Sequence, residues 1–453
     1  MGNASESGIK PHSVRELGVG TLWVIGAPVR RCSARGTLTL QDMGLRHERS
    51  LASALACGAS ASLVEEASQA MTARVRPVVA LVSDAVYPYF RGGKEFRYHE
   101  LSSRLGRRAD VHIFTMKWWG GPSTHKEGHV TFHAVSRLYP MYAGDRRSFR
   151  EAIFFALGCL RLLWFRFDAL EADQFPNFHI LTLRVVAWLK RKPLTVTWHE
   201  VWGPDYWRLY LGSRTARIAW FVEWLTMRVP DQLIAASDQT AARLRAILGD
   251  RASISVVPNG IDLEGIRNSY PDDARVDIVT IGRFLPHKNV SVLLDSVALL
   301  HASGLPVTCR IIGDGPLRAA LHAQAERLGI AHAVDFRHDV WEQKEVYALM
   351  KAARVAAFPT TREGFGIAVL EAIACGLPVV TTSAPDNLAR FLVARSTAGV
   401  VCGPAADDIA EALRQLLAQG DGRSSGAPTV QEPWLADHGW DAAADRVADA
   451  LRL

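Results

Sequence analysis

The feature that most constrains this chain is a repeated strand–loop–helix rhythm with strands that are apolar throughout. From Pro77 onward, short apolar runs alternate with helical stretches: Val78 to Val82, Val111 to Met116, Leu194 to Trp198 and Leu233 to Ala236. A strand apolar on both sides needs cover on both faces, which a parallel sheet with flanking helices provides. Ser237-Asp238 offers a capping side chain for the helix after the last of these runs. The rhythm restarts after Pro271-Asp272-Asp273, with Asp277 to Ile281, Val307 to Ile312, Val355 to Phe358 and Pro378 to Thr381. Two such series in 453 residues predict an α/β protein with two Rossmann-like, doubly wound domains.

Four regions follow from this reading. Residues 1–74 are rich in Ala, Ser, Gly and Arg with weak periodicity, and are expected to be a poorly ordered extension. Residues 75–268 form the first domain and 269–432 the second, with a flexible Gly/Ser-rich loop from Asp421 to Pro428. Residues 433–453 carry an amphipathic helix, Trp440 to Leu451. The apolar stretch Ala152 to Phe165 reads as a buried helix. It contains Arg161 and is too short to span a bilayer, which needs about 20 residues.

Composition narrows the function. A net charge of +6 is mild for this length and accommodates anionic ligands, without calling for nucleic acid. The six cysteines lie far apart with no C-x-x-C pair, so they read as reduced thiols and not as metal ligands. The polar N-terminus lacks a signal-peptide apolar stretch, and Glu6 stands where a myristoylation motif needs Ser or Thr. The expected location is the cytoplasm, with peripheral contact at the inner face of a membrane as the furthest departure. The aromatic and basic segment Phe149 to Phe167 suggests that contact, although a core helix explains it as well.

Four clusters occupy loops after strands, where a doubly wound sheet binds ligands. Gly92-Gly93 precedes a helix, so backbone amides there can meet a phosphate, although a plain turn also explains the pair. Gly282-Arg283 and Lys288 place two cations five residues apart, a spacing suited to a diphosphate. Gly313-Asp314-Gly315-Pro316 gives a tight strand-to-helix turn without the dinucleotide fingerprint. Glu363-Gly-Phe-Gly366 leads into a helix carrying Glu371. Eight residues of helix span roughly 12 Å, too far for a hydrolytic pair, so the two carboxylates are better placed to grip different parts of one ligand.

In their order and spacing, Val257-Pro-Asn-Gly-Ile-Asp262, Gly282-Arg283 with Lys288, Gly313-Asp-Gly-Pro316 and Glu363-x7-Glu371 resemble glycosyltransferase family 4. The resemblance covers the chain from about Pro77 to its end. It implies the GT-B fold, two domains facing across a cleft, and a retaining, metal-independent transfer of a hexosyl group from a nucleotide-diphosphate sugar. The donor would be a UDP-, GDP- or ADP-sugar held by the second domain. The acceptor would be a glycan, a lipid or a small molecule at the first. No cofactor beyond that co-substrate, no metal and no nucleic acid partner is implied.

By position, Arg283 and Lys288 would neutralise the leaving diphosphate beside Gly282, and Glu371 would hold the ribose. Glu363 would bind the transferred sugar near the backbone of Gly364, Phe365 and Gly366. Gly93 would approach the phosphates, His199 would line the sugar site, and the last helix would cross back to the first domain. Thr381 to Arg390 departs from the Gly-rich stretch common in the family. A nucleotide-sugar 2-epimerase, or a binding protein of the same fold without turnover, are the alternatives. The Glu363-x7-Glu371 spacing argues against the first, and the intact charged set against the second.

Overall fold

The computed structural model describes residues 76–143, 146–340, 342–419 and 432–453. The expectations for residues 1–74 and for the loop from Asp421 to Pro428 lie outside the described residues.

The first sheet contains β1 (Val78–Val82), β2 (Asp110–Met116), β3 (Thr124–Glu127), β4 (Val130–Ser136), β7 (Ala169–Asp173), β8 (Leu194–Trp198), β9 (Gln232–Ala235) and β10 (Ile254–Val256). Between β4 and β7 lies a small hairpin of β5 (Tyr142–Ala143) and β6 (Arg146–Arg147). The order is β10-β9-β8-β7-β1-β2-β4-β3, parallel except that β3 runs against β4. The chain winds outward from β1 through β2 and β4, then returns to β7 on the other side of β1. The direction of winding therefore reverses between β1 and β7, the place where an open α/β sheet leaves a crevice at its carboxyl edge.

Alternation along β1 explains its uniformly apolar sequence. Val79 and Leu81 belong to one core with Tyr98, Trp440 and Val447. Ala80 and Val82 belong to another with Phe155, Leu183 and Met227. The first face is covered by the helices Gly93–Leu105 and Trp440–Leu451. The second is covered by Phe149–Gly158, Phe178–Lys190 and Ser213–Arg228. Ser237 caps the helix Asp238–Leu248 by accepting from the Thr240 amide at 3.0 Å.

The second sheet contains β11 (Val276–Ile281), β12 (Cys309–Ile312), β13 (Val334–Arg337), β14 (Ala353–Phe358), β16 (Val379–Thr382) and β18 (Gly399–Cys402), all parallel, in the order β13-β12-β11-β14-β16-β18. Its winding reverses between β11 and β14. A two-residue pair, β15 (Arg362–Glu363) with β17 (Asp386–Asn387), sits beyond its carboxyl edge. The chain's end lies against the first sheet: Trp440 meets Phe96 edge-on at 5.8 Å. A Cβ at Gly260 would come within 2.6 Å of the Trp440 ring.

One expectation is corrected. Ala152 to Phe165 is not one buried helix but the end of an α-helix followed by a 3-10 turn, Cys159–Trp164. Only Ala152, Phe155, Ala156, Cys159 and Leu162 of its apolar side chains are buried, while Leu157 and Trp164 are exposed. The turn tightens where Gly158 packs on strand β4, since a Cβ there would lie 2.6 Å from the Val135 carbonyl. Among the described cysteines, Cys159, Cys309 and Cys402 are free thiols.

Candidate active site

The loops beyond β11, β12 and β14 meet at the carboxyl edge of the second sheet. Gly313 makes that meeting feasible: its φ is +141°, and a Cβ there would lie 2.0 Å from the Gly282 carbonyl. Phe284 donates its amide to Asp314 at 2.9 Å and fixes the two loops together. Gly282, Lys288, Glu363 and Gly366 line one cavity with Thr280 and Thr360. Lys288 Nζ donates to Glu363 Oε2, so cation and carboxylate form an ion pair across it. The His287 carbonyl accepts from Thr360 Oγ1 at 2.9 Å and from the Thr361 amide at 2.8 Å, which ties the Lys288 loop to the Glu363 loop. Burial, and then the neighbouring Lys288 charge, push the His287 ring down to about 4. It is neutral at physiological pH and adds no charge to the cavity.

The helix Ile367–Ala374 begins at this cavity. Gly366 opens it with φ +96°, and a Cβ there would come within 2.6 Å of Ala389. The free amides at such a helix start attract anions. Thr381 to Arg390, which departs from the family pattern in sequence, supports the Glu363 loop. Asp386–Asn387 pairs with Arg362–Glu363, and Leu388 donates its amide to the Glu363 carbonyl at 2.8 Å. Asn387 is locked beneath by donating to Thr381 Oγ1 at 2.9 Å and to the Thr382 carbonyl at 2.8 Å.

Other sequence-predicted residues stand in different relations to the cavity. Glu371 is buried away from its lining, accepting from Gln343 at 2.6 Å and Tyr347 at 3.2 Å. Desolvation pushes its carboxyl up to about 8. Arg283 holds its guanidinium 5.3 Å from the centre of the Phe90 ring, on the loop before Gly93. A Cβ at Gly93 would lie 3.4 Å from Ile367, at the helix start. Phe365 is buried, its ring 6.0 Å from that of His438. Gly364 lies against His199: a Cβ there would sit 3.1 Å from the His199 carbonyl. The glycine therefore lets the Glu363 loop approach the loop beyond β8.

His199 belongs to a buried charged cluster at the crevice of the first sheet, most of which sequence reasoning missed. Lys94 Nζ donates to Asp84, beyond β1, at 2.6 Å and also to Asp173, at the end of β7. Arg147 pairs with Asp84 from the other side. Burial would raise the Asp84 carboxyl, but the Lys94 and Arg147 charges outweigh it and hold it well below the usual range. Desolvation would lower the Lys94 ammonium, but Asp173 and Asp84 hold it above its ordinary value.

Desolvation pushes Glu95 up to about 7 and Glu151 up to about 8. His199 Nε2 lies 3.6 Å from Asp173 Oδ1, and desolvation pushes the ring down to about 4. Gln174 positions the His199 turn, donating to the Glu200 carbonyl at 2.8 Å and accepting from the His199 and Glu200 amides. The available signal was placement, since Asp84 follows and Asp173 ends the two strands that flank the reversal. Among the described residues no group of three or more His, Cys, Asp and Glu side chains is placed to hold a metal ion.

Comparison with known proteins identifies the family. The family model described as Glycosyltransferase Family 4 matches residues 91–264, and that described as Glycosyl transferases group 1 matches residues 265–426. A D-inositol 3-phosphate glycosyltransferase of Gordonia bronchialis is 30% identical over 404 residues, covering 80% of this chain and 84% of that protein. A GDP-mannose-dependent alpha-(1-6)-phosphatidylinositol monomannoside mannosyltransferase of Mycobacterium tuberculosis is 29% identical, covering 49% of this chain and 62% of that protein. The solved sucrose-phosphate synthase of Thermosynechococcus elongatus superposes with a TM-score of 0.63 at 20% identity, over 83% of this chain and 95% of that one, which shows the shared fold. With its two doubly wound sheets and its glycine-lined cavity, the chain belongs to glycosyltransferase family 4, a nucleotide-sugar-dependent hexosyltransferase of the GT-B fold.

Proposed function

We propose that the chain transfers a hexosyl group, with retention of configuration and without a divalent metal, from a nucleotide-diphosphate sugar to an acceptor hydroxyl. The observation that carries this reading is the Lys288–Glu363 pair inside a glycine-lined cavity that opens at a helix start. A sugar diphosphate presents there what each element attracts: phosphate for Lys288 and the helix amides, hydroxyls for Glu363. Arg283 adds a second cation, and residues 269–432 act as the donor domain. Residues 75–268 act as the acceptor domain, with His199 beside the sugar and Gly93 near the phosphates. Residues 433–453 brace the two. Glu371 reaches ribose hydroxyls only if it exchanges Gln343 or Tyr347 for them.

In the reaction the bond from the anomeric carbon to the phosphate oxygen breaks, and the diphosphate leaves with the electron pair. Lys288, Arg283 and the Ile367 helix start stabilise the charge that develops. The acceptor oxygen bonds to the same face of the oxocarbenium-like carbon and passes its proton to a phosphate oxygen. The names of the relatives support GDP-mannose as the first donor to try, and an inositol phosphate or phosphoinositide hydroxyl as the acceptor.

The test is transfer with GDP-, UDP- and ADP-sugars in the presence of EDTA, with the anomeric configuration of the product read by NMR. An α-linked product from an α-linked donor, formed at an unchanged rate in EDTA, is expected. Inversion, or loss of activity in EDTA that added metal restores, would overturn the mechanism. Nucleotide binding without transfer to any acceptor would favour a silent binding protein.

A further inference from the structure

We infer that the helical face of the first domain is a docking surface for an anionic lipid bilayer. The inference supplies a location for the proposed transfer, but it stands on the shape and charge of this face alone. The helices Phe149–Gly158, Phe178–Lys190 and Ser213–Arg228 all cover one side of the first sheet, because Phe155, Leu183 and Met227 share a single core there. Their outer sides are therefore turned the same way.

Those outer sides are apolar at helical spacing. Phe149, Ile153 and Leu157 recur every fourth residue, and all are exposed. On the neighbouring helix Val185, Trp188 and Leu189 are exposed, Trp188 to 69%. On the third, Ile218 (68%) and Phe221 point opposite to the buried Ala216 and Met227. Single exposed apolar residues are common on any surface, but three adjacent helices presenting such stripes together are not.

The charges decide the occupant. From Phe175 through His199 the sequence contains no Asp or Glu, while Arg184, Lys190, Arg191 and Lys192 lie among the apolar positions. From Tyr206 through Pro230 the one acidic residue is Glu223, which is buried beneath Trp202 and Trp207. Arg214, Arg217 and Arg228 are exposed there. Of the acids flanking these segments, Asp168 pairs with Lys192, Asp231 with Arg184 and Asp205 with Arg208.

A second copy of so cationic a face would be repelled by it. Anionic headgroups would be attracted, and the apolar stripes would enter the headgroup boundary. No helix among the described residues is long and apolar enough to cross a membrane, so the face would lie on the bilayer. The loop carrying His199 continues into the helix Gly203–Leu211, which packs on Ser213–Arg228. The acceptor side of the cleft is thus linked directly to this face.

The test is flotation of the full chain with vesicles of phosphatidylcholine alone and of phosphatidylcholine with about one third phosphatidylglycerol, a composition rich in the anionic charge that basic segments recognise. Parent protein should float with the anionic vesicles only, and about 1 M salt should release most of it. Arg191→Glu with Arg217→Glu, and separately Trp188→Ser with Ile218→Ser, should each lower the bound fraction about tenfold. All four positions are exposed, so the nucleotide-induced thermal shift should persist in both variants and report that they are folded.

Equal binding to neutral and anionic vesicles, no binding, or variants that bind like the parent would overturn the surface. So would a stable dimer in light scattering that Trp188→Ser with Ile218→Ser dissolves. Binding to vesicles by a chain that responds to no nucleotide would instead overturn the transfer reading and leave the surface standing.

Discussion

The crevices of the two sheets are built in different ways. At the second sheet, backbone does most of the shaping: Gly282, Gly313 and Gly366 hold positive φ, and two charged side chains complete the cavity. At the first sheet, side chains do it: Asp84, Lys94, Arg147 and Asp173 converge from four separate elements into a buried ionic cluster. The first kind of site is encoded in contiguous residues and tolerates an empty state, because amides at a helix start can be solvated. The second is encoded by register and must be internally neutralised, because an unpaired buried charge is costly. On the proposed assignment the first kind of site would take the nucleotide handle and the second would face the acceptor.

The sharpest way to break this comparison is to remove the central cation of the first cluster. Lys94→Ala leaves the Asp84 and Asp173 carboxylates close together in a buried site, and should cost about 3–5 kcal/mol in denaturant unfolding. Affinity for nucleotide diphosphate in the remaining folded protein should be unchanged. A loss below about 1 kcal/mol would mean that the cluster is solvated and adaptable, and the contrast would fail. Next in size, Glu363→Ala should lower kcat about a hundredfold, with a much smaller change in donor KM, because contacts to the reacting sugar tighten as charge develops. A KM effect alone would make Glu363 a simple binding residue.

The last effect is one of pH and concerns Glu371. Desolvation pushes its carboxyl up to about 8 in the folded state from an ordinary value near 4.5, so the folded chain holds this proton more tightly. Stability from this group is therefore lost as pH rises between 4.5 and 8. Glu371→Gln keeps the acceptor for Gln343 and Tyr347 but cannot ionise. It should match the parent at pH 4 and become progressively more stable than the parent as pH rises towards 8. A gain independent of pH would show that Glu371 is already ionised and solvated.

The legibility of the molecule in its sequence follows the same division. Continuous apolar strands such as Val78–Val82 and Leu194–Trp198 are readable because burial on both faces leaves no polar position. Gly282, Lys288, Glu363 and Gly366 were readable because one loop carries each group of them. Lys94 directly follows the Gly92-Gly93 pair, yet its partners lie 10 and 79 residues away, and only the pairing of β1 with β7 brings them together. The segment from Ala152 to Phe165 misled because apolar content does not tell a core helix from one with an exposed apolar side. The interior setting of Glu371 was not legible because the partners that receive it, Tyr347 and Gln343, lie 24 and 28 residues away on another helix.

The most direct test of the account is thermal stability of the parent and of Lys288→Ala with UDP, GDP and ADP added separately, each with EDTA. A nucleotide at about 100 times its dissociation constant adds about 2.7 kcal/mol to the native state. One nucleotide should raise the parent's Tm in EDTA, and Lys288→Ala should lose most of that shift while keeping its own stability. A folded parent that responds to none of the three, or a Lys288→Ala variant that responds as the parent does, would contradict it.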